Sequence, residues 1–467
     1  MSSTGKRRQQ KTPDGACLPE EAVNPRGTEE GPSLPAARNG TPSPEATAYP
    51  LLEKMLERDN MIRAYKRVVA NGGAPGVDGV DVKNLKSHLA NHWEAIKQEL
   101  RNGTYRPAPV KRRDIPKPGG GTRMLGIPTT TDRLIQQALL QVLTPIFDPG
   151  FSEHSYGFRP GRRAHDAVRK ARQTMEEGYR VVVDIDLEKF FDRVNHDILM
   201  ARVARKVKDK RVLRLIRSYL EAGMMENGVR VATGEGTPQG GPLSPLLANI
   251  LLDDLDRELE KRGLRFVRYA DDCNIYVKSF RAGQRVMESI TRFLEQKLKL
   301  RVNRKKSAVD RPWRRKFLGF SFYQGKNGTG IRLAPETVRR VKDQIRRRTK
   351  RNRSQPMAER IEKLNQYLKG WVGYFALADA RNILRQLDEW IRRRLRACLW
   401  TQWKRVRTRI RELRSLGLPD AAVFTIANTR KGPWRASLFL NSALNKAYWS
   451  DQNLVSLEQR YLSIRKS

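Results

Sequence analysis

The sequence predicts an α/β chain that gives way, past residue 330, to a helical and strongly basic segment. Three observations predict it. Residues 181–187, VVVDIDL, read as a buried strand, and 265–277, RFVRYADDCNIYV, read as strand, tight turn, strand. Between them Ser244-Pro245 opens a helix with apolar positions Leu247, Leu251, Leu255 and Leu259, closed by Gly263. Further on, Leu384, Leu387, Ile391, Leu395, Leu399, Trp403, Val406, Ile410 and Leu413 recur every three or four residues. That spacing predicts one long amphipathic helix, about 45 Å at ~1.5 Å per residue.

The remaining elements follow in chain order. Residues 1–50 hold eight Pro, five Gly and a single aromatic, Tyr49, with six basic against six acidic residues. Such a stretch cannot bury a core and reads as a disordered leader, too acidic for an organellar transit peptide. From Leu51, apolar residues at Leu52, Met55, Leu56, Ile62, Tyr65, Val68 and Val69 suggest helix, broken by the Gly-rich run Asn71–Gly79. Residues 111–128, KRRDIPKPGGGTRMLGIP, are two short extended arms around a Pro-Gly-Gly-Gly turn, a hairpin. Past residue 330 there are 32 Lys/Arg against 11 Asp/Glu, with nine basic residues packed into 339–353. The long helix carries Arg392, Arg393, Arg394, Arg396, Lys404, Arg405 and Arg407 on the face away from its apolar stripe. One side would pack and the other would meet phosphates.

Composition narrows the function. The 467 residues carry 92 Lys/Arg and 50 Asp/Glu, a net charge of +42, with 39% hydrophobic residues, enough for a buried core. A polyanion, nucleic acid first, is the partner such a charge fits. No apolar run approaches the ~18 residues of a membrane span, and no hydrophobic stretch opens the chain as a secretory signal. These absences make a cytoplasmic, nucleic-acid-associated protein the expectation. Cys17, Cys273 and Cys398 are far apart and form no CxxC, which excludes a disulfide scaffold and a zinc ribbon. All five histidines lie at or before His196, so no His-based metal nuclease can follow it.

Four acids carry the chemistry. Side chains alternate along a strand, so Asp184 and Asp186 share a face while Val183, Ile185 and Leu187 face the core. Unpaired buried carboxylates are costly, and a divalent cation would justify them. Asp271 and Asp272 sit at the tip of the second strand pair. Mg2+ prefers a few carboxylates completed by water and substrate phosphate, and three carboxylates from neighbouring strands suit a two-metal phosphoryl-transfer site. Taken alone, YADD reads better as an ordinary acidic turn, since Asp is common in turns.

Eight blocks in order remove that ambiguity. They are NGGAPGVDG (71–79), IPKPGGGTRMLGIPTTTDRLIQQALLQVL (115–143), SYGFRPGRRAHDAV (155–168), DIDLEKFFDRVNH (184–196), GTPQGGPLSPLLANILLDDLD (236–256), YADD (269–272), LRVNRKKS (300–307) and FLGFSF (317–322). From about Met61 to the C-terminus the chain resembles group II intron reverse transcriptases, departing at Met124-Leu125, where the family usually has Pro-Leu. The resemblance implies an α/β right-hand polymerase, fingers and palm, followed by an α-helical thumb/maturase domain. It implies fingers over 51–180, palm over 181–330, thumb/maturase over 331–445 and a C-terminal tail over 446–467.

The resemblance also assigns roles. Asp186, Asp271 and Asp272 align with the catalytic, metal-binding aspartates, for two Mg2+ ions with Mn2+ as substitute; Asp184 matches no ligand and is taken as supporting. Lys117 and Arg123 look like the grip on the incoming triphosphate, Phe191 like the gate that excludes a 2′-hydroxyl, and Gln239 like a dNTP contact; His196 is read as structural. An ordinary basic hairpin and a core Phe beside Phe190 are the plainer alternatives. KLNQYLKGWVGYF (363–375), the Trp390–Trp403 arginine helix and KGPWRASLFLNSAL (431–444) resemble the maturase segment. RNA-binding is expected of Arg346, Arg347, Arg348, Arg393, Arg394 and Lys404, with Trp390, Trp400 and Trp403 as stacking surface. The implied partners are group II intron RNA, an RNA template with DNA primer, target DNA and dNTPs. Nothing in the sequence supports a membrane or a homodimer. With no endonuclease domain expected, a nascent strand at a replication fork could supply the primer. Three functions compete: a polymerase that assists its host intron's splicing and mobility, a maturase acting only as an RNA-folding cofactor, and a free-standing polymerase co-opted for repair or defence. The intact aspartate trio argues against the second.

Overall fold

In a computed structural model, the chain is described from residue 50 to 466, apart from 117–121, 227–228, 232–235, 237–239 and 327. The leader expected over 1–50 therefore lies outside the described residues but for Pro50, as do Lys117 and Gln239. The described residues form two compact units, one ending at Thr337 and one starting at Val338, so the division falls within the helix Pro335–Arg348.

The first unit is α/β. The expected hairpin is present as β1 (Val110–Pro116) and β2 (Thr122–Ile127), antiparallel, with Ile115 opposite Arg123. The buried strand is β3 (Val181–Ile185). Two short strands, β4 (Met224–Glu226) and β5 (Val229–Val231), join the first pair in a sheet ordered β2-β1-β4-β5. The second strand pair is β6 (Arg265–Tyr269) and β7 (Asp272–Val277). With β3 and β8 (Ala308–Asp310) it makes the sheet β6-β7-β3-β8. A separate hairpin, β9 (Phe320–Gly325) and β10 (Gly328–Leu333), completes the strands of this unit among the described residues.

Helices Ala164–Glu176, Ser244–Lys261 and Phe280–Lys297 pack on the β6-β7-β3-β8 sheet. The Pro-opened helix buries Leu247, Leu251, Leu255 and Leu259, each at most 3% exposed, as its spacing predicts. The helix Thr130–Phe147 is capped by Thr129, whose hydroxyl accepts from the Asp132 amide at 3.0 Å. The buried Asp132 carboxylate then takes the Tyr105 hydroxyl at 2.8 Å and the Ala108 amide at 3.2 Å, fixing the chain that enters β1. Arg133, on the same helix, donates to the carbonyls of Gly72 and Ala74 and so holds the Gly-rich run 71–79 in place.

The second unit is helical among its described residues. Its core gathers Leu364, Leu368, Leu384, Leu387, Ile391, Leu395 and Trp449, each buried. The single long helix expected from Leu384 to Leu413 is two helices, Arg381–Gln402 and Val406–Ser415. The chain breaks at Trp403, where the Arg409 Nε donates to its carbonyl at 2.9 Å and the Arg409 guanidinium lies 3.9 Å from the Trp400 ring centre. No Gly or Pro marks the break, so apolar spacing runs through it unaltered. Trp400 and Trp403 are 2% and 8% exposed, hence core rather than stacking surface. Arg396 is likewise buried, donating to the carbonyls of Ser437 and Leu444, which removes it from the phosphate-facing side. The stretch expected as a tail folds as helices Lys446–Asp451 and Leu457–Lys466, with Trp449, Leu457 and Tyr461 buried.

Arg360, 1% exposed, donates to the carbonyls of Arg348, Lys350 and Arg353, closing the turn that follows the helix Pro335–Arg348. Hydrogen bonds to a charged donor are worth about 1.5–3 kcal/mol, and losing them strands buried acceptors. Arg360→Met, which keeps most of the volume, should therefore lower stability by roughly 2 kcal/mol or more, read as a shift of the urea midpoint.

Candidate active site

The site begins with strand register. β3 runs antiparallel to β7 with Asp184 opposite Asn274 and Ile185 opposite Cys273. One further step sets Asp186 across from Asp272, so the two acids share the face that Asp184 also occupies. β6 and β7 close with Tyr269 opposite Asp272, leaving Ala270 and Asp271 as a two-residue turn. The turn is tight: Ala270 has φ +56°, a left-handed conformation that costs an L-residue about 1 kcal/mol.

The Asp186 backbone is held by the segment 303–307. Its amide donates to the Ser307 hydroxyl at 3.0 Å, and its carbonyl accepts from the Asn303 amide at 2.8 Å. The carboxylates then divide into two kinds. Asp184 is claimed by Arg315, whose Nε and Nη2 reach the same oxygen at 2.9 and 2.6 Å. Burial pushes the Asp184 carboxyl up, and Arg315 counters it. The supporting role expected for Asp184 has this physical form: a paired strut, not an open ligand. Asp186 has the largely exposed Lys306 ammonium 3.5 Å from its carboxylate. Burial of the carboxyl, then Asp271, Asp184 and Asp186, push Asp272 up to about 7, with Lys316 a partial offset. Asp272 is exposed as a residue, so the crowded like charges are the cause its surroundings support best.

This donor set suits a hard cation. Carboxylate oxygens on one face repel one another, and a lysine ammonium already sits where positive charge is wanted. Among the described residues no group of three His, Cys, Asp or Glu is arranged to hold a metal unaided. An Mg2+-type site is completed by water and substrate phosphate, and the residues present fit that description.

What holds the turn in place is a fully buried guanidinium. Arg268 is 0% exposed, and so is its partner Asp256, reached at 2.7 and 2.5 Å. Its remaining donors go to Asn249 at 3.0 Å, the Ala270 carbonyl at 2.9 Å and the Ser155 hydroxyl at 2.8 Å. The segment His154–Tyr156 pairs with Arg268 through the backbone and covers that edge of β6. Gly157 follows, with the Asn249 amide on its carbonyl, and a Cβ there would run into the Ala270 backbone. None of this network entered the reading of the sequence. Its signal was present: Asn249 and Asp256 lie seven apart, hence on one face of an apolar helix, and Arg268 interrupts an apolar strand.

Phe191 is half-buried, edge-to-face with the buried Phe190 at 5.1 Å. The Gly236 backbone lies against the Phe191 carbonyl, and Gly240 lies against Gly126 of β2; at either, a Cβ would collide. Gly236 is thus placed beside Phe191 and Gly240 beside the hairpin, while Gln239 lies outside the described residues. The His196 Nε2 sits 2.6 Å from the Gly236 carbonyl, which only accepts, so Nε2 carries the proton and the residue is a tether, as expected. Arg123 has its place in β2.

In the second unit the six expected RNA contacts separate. Arg346, Arg347 and Lys404 are exposed. Arg348 is half-buried, 4.3 Å over Tyr367. Arg394 is committed to Thr349, with Nε on its hydroxyl at 2.6 Å, and burial lowers its pKa. Arg393 stacks on Trp434 at 4.1 Å, and Trp434 is 38% exposed. The aromatic surface thus comes from Trp434, with the half-buried Trp390 between Arg346 and Arg394.

Carboxylates gathered on one face of an antiparallel sheet suit metal-assisted phosphoryl transfer. Residues 115–322 match the reverse transcriptase (RNA-dependent DNA polymerase) family, and residues 338–417 match the group II intron maturase-specific domain. The chain belongs to the group II intron reverse transcriptase/maturase family. It is 34% identical over 299 residues to protein YkfC of Escherichia coli (strain K12), covering 56% of this chain and 78% of that one. It is 32% identical over 347 residues to the group II intron-encoded protein LtrA of Lactococcus lactis subsp. cremoris, covering 60% of this chain. The match spans 57% of LtrA, little more than half its length. Among solved structures, a partial Cas6-RT-Cas1–Cas2 complex aligns over 54% of this chain and 43% of that chain, at 24% identity and TM-score 0.36.

Breaking a buried ion pair on one side costs about 3–5 kcal/mol, whereas replacing both partners by apolar residues costs far less. Arg268→Met and Asp256→Leu should each destabilise the first unit by that order, and the double variant by clearly less than their sum. Denaturant unfolding of all four proteins in the cycle reads this directly.

Proposed function

We propose that Asp186, Asp271 and Asp272 form the metal-holding centre of an RNA-templated DNA polymerase. The observation that carries it is the contrast on one sheet face between Asp184, paired with Arg315, and the crowded Asp272 beside Asp186 and Asp271. Two Mg2+ ions, with Mn2+ as substitute, would share the charge of the attacking primer 3′-oxygen and of the departing pyrophosphate. The protein's own part is positional. The β3–β7 pairing that ends at Ile185 opposite Cys273 brings Asp186 towards Asp272, Arg268 holds the turn that presents Asp271, and Ser307 holds the Asp186 backbone. Lys117 and Arg123 would hold the triphosphate from the hairpin, the first as a point charge and the second as a planar fork. Gln239 would approach the nucleotide from the Gly-rich stretch between Gly236 and Gly240, and Phe191 would lie beneath the sugar.

The second unit we assign to RNA. Its exposed Arg346, Arg347 and Lys404, with the Arg393–Trp434 stack, offer phosphate contacts and an aromatic face together. Binding of the host intron RNA to assist splicing and retrohoming is the reading this favours over a free-standing polymerase, because template-holding alone does not call for a dedicated maturase domain.

Asp271→Asn should abolish primer extension on an RNA template while leaving RNA affinity within about twofold of wild type. Retained extension, measured with a labelled primer, would remove the metal assignment. Phe191→Val should raise rNTP incorporation at least tenfold relative to dNTP; unchanged sugar selectivity would return Phe191 to a packing role.

A further inference from the structure

One aromatic beside the candidate centre lies outside the hydrophobic core. Phe158 is 54% exposed and carries φ +57°, a conformation that a bulky residue adopts only when its surroundings impose it. They do. On one side, Ser155 accepts from Arg268, Tyr156 pairs with the Arg268 backbone, and Gly157 is pressed against Ala270. On the other, Arg159 is 8% exposed, with Nε on Asp148 at 2.8 Å and Nη1 on the carbonyls of Ser152 and Ser155. Both neighbours are pinned, and between them a strained backbone turns a phenyl ring outward rather than into the core. The ring lies 6.2 Å from that of Tyr269, centre to centre, at 44°. Tyr269 is half-buried and pairs across the strands with Asp272. The two rings thus form an aromatic ledge that adjoins the acidic turn.

A large exposed apolar group held at a strained position is costly, and in a protein of this charge a nucleic acid supplies the surface that repays it. We infer that Phe158, backed by Tyr269, is a positioning residue on which the terminal base pair of the primer–template duplex rests, setting the primer 3′ end against the acidic centre. The inference rests on the polymerase reading above. The chemistry recognised is the planar or sugar face of a base pair, which any sequence provides, so the contact is sequence-tolerant. A dNTP is not its object, because the triphosphate grip is assigned to the hairpin.

The test uses the full-length protein with a fluorescent DNA primer annealed to an RNA template. Base–aromatic stacking is worth about 1–3 kcal/mol, so Phe158→Ala should weaken duplex binding by roughly tenfold, or ~1.4 kcal/mol, with dNTP KM unchanged. Phe158→Tyr and Phe158→Trp should restore it, and Phe158→Leu should not. Phe158→Gly, which accepts positive φ freely, should fold at least as stably as wild type yet bind like Phe158→Ala. Duplex affinity and extension unaltered in both Phe158→Ala and Phe158→Gly would overturn the inference, as would full rescue by Phe158→Leu. A change confined to dNTP KM would overturn it too. Failure of the polymerase reading looks different, since the wild-type protein would then not extend the primer.

Discussion

Arg268 and Asp256 form an ion pair that no solvent reaches, and the acidic turn depends on it. A guanidinium has five N–H donors in a fixed plane, and here they are distributed to a helix, a turn carbonyl and a covering segment. Each recipient belongs to a different stretch of chain. Placing Asp271 and Asp272 is therefore a problem solved from underneath, by a group that takes no part in phosphoryl transfer. The carboxylates above can crowd one another because the structure below does not rely on them for cohesion.

The same logic separates the acids of β3. Both Asp184 and Asp186 point to one face, yet Arg315 pairs closely with the first while the second has the exposed Lys306 ammonium 3.5 Å away. Two aspartates two residues apart thus serve opposite ends: one binds the strand to the β8–β9 region, the other stays available. Gly236 and Gly240 allow comparably close approaches, the first to the Phe191 backbone and the second to the β2 backbone.

Much of this was legible in the sequence. The buried-strand reading of 181–187 and the strand–turn–strand reading of 265–277 located β3, β6 and β7, and the Pro-opened helix fell where its cap and leucines put it. The aspartate face followed from alternation alone. What escaped was whatever depends on partners remote in sequence. Arg268 and Asn249 could not be matched before the helix and strand were seen together, and Arg315 lies 131 residues from Asp184. The helix break at Trp403 escaped for another reason: it is made by an arginine stacking on Trp400 and bonding the Trp403 carbonyl, not by a helix-breaking residue. Arg394 and Arg396 misled because charge was equated with exposure, whereas long basic side chains can satisfy buried carbonyls.

The depth of the Arg268–Asp256 pair also sets how the molecule answers to ionic strength. Mobile ions at 0.15 M screen exposed charges beyond about 8 Å and barely touch a pair sealed in the interior. The surface arginines and lysines that would meet phosphates lie on the screened side of that divide; the strut beneath the turn lies on the other. Salt then acts as a release agent and not as a denaturant. A polynucleotide can be eluted while the scaffold for its chemistry persists, ready for a fresh strand on dilution.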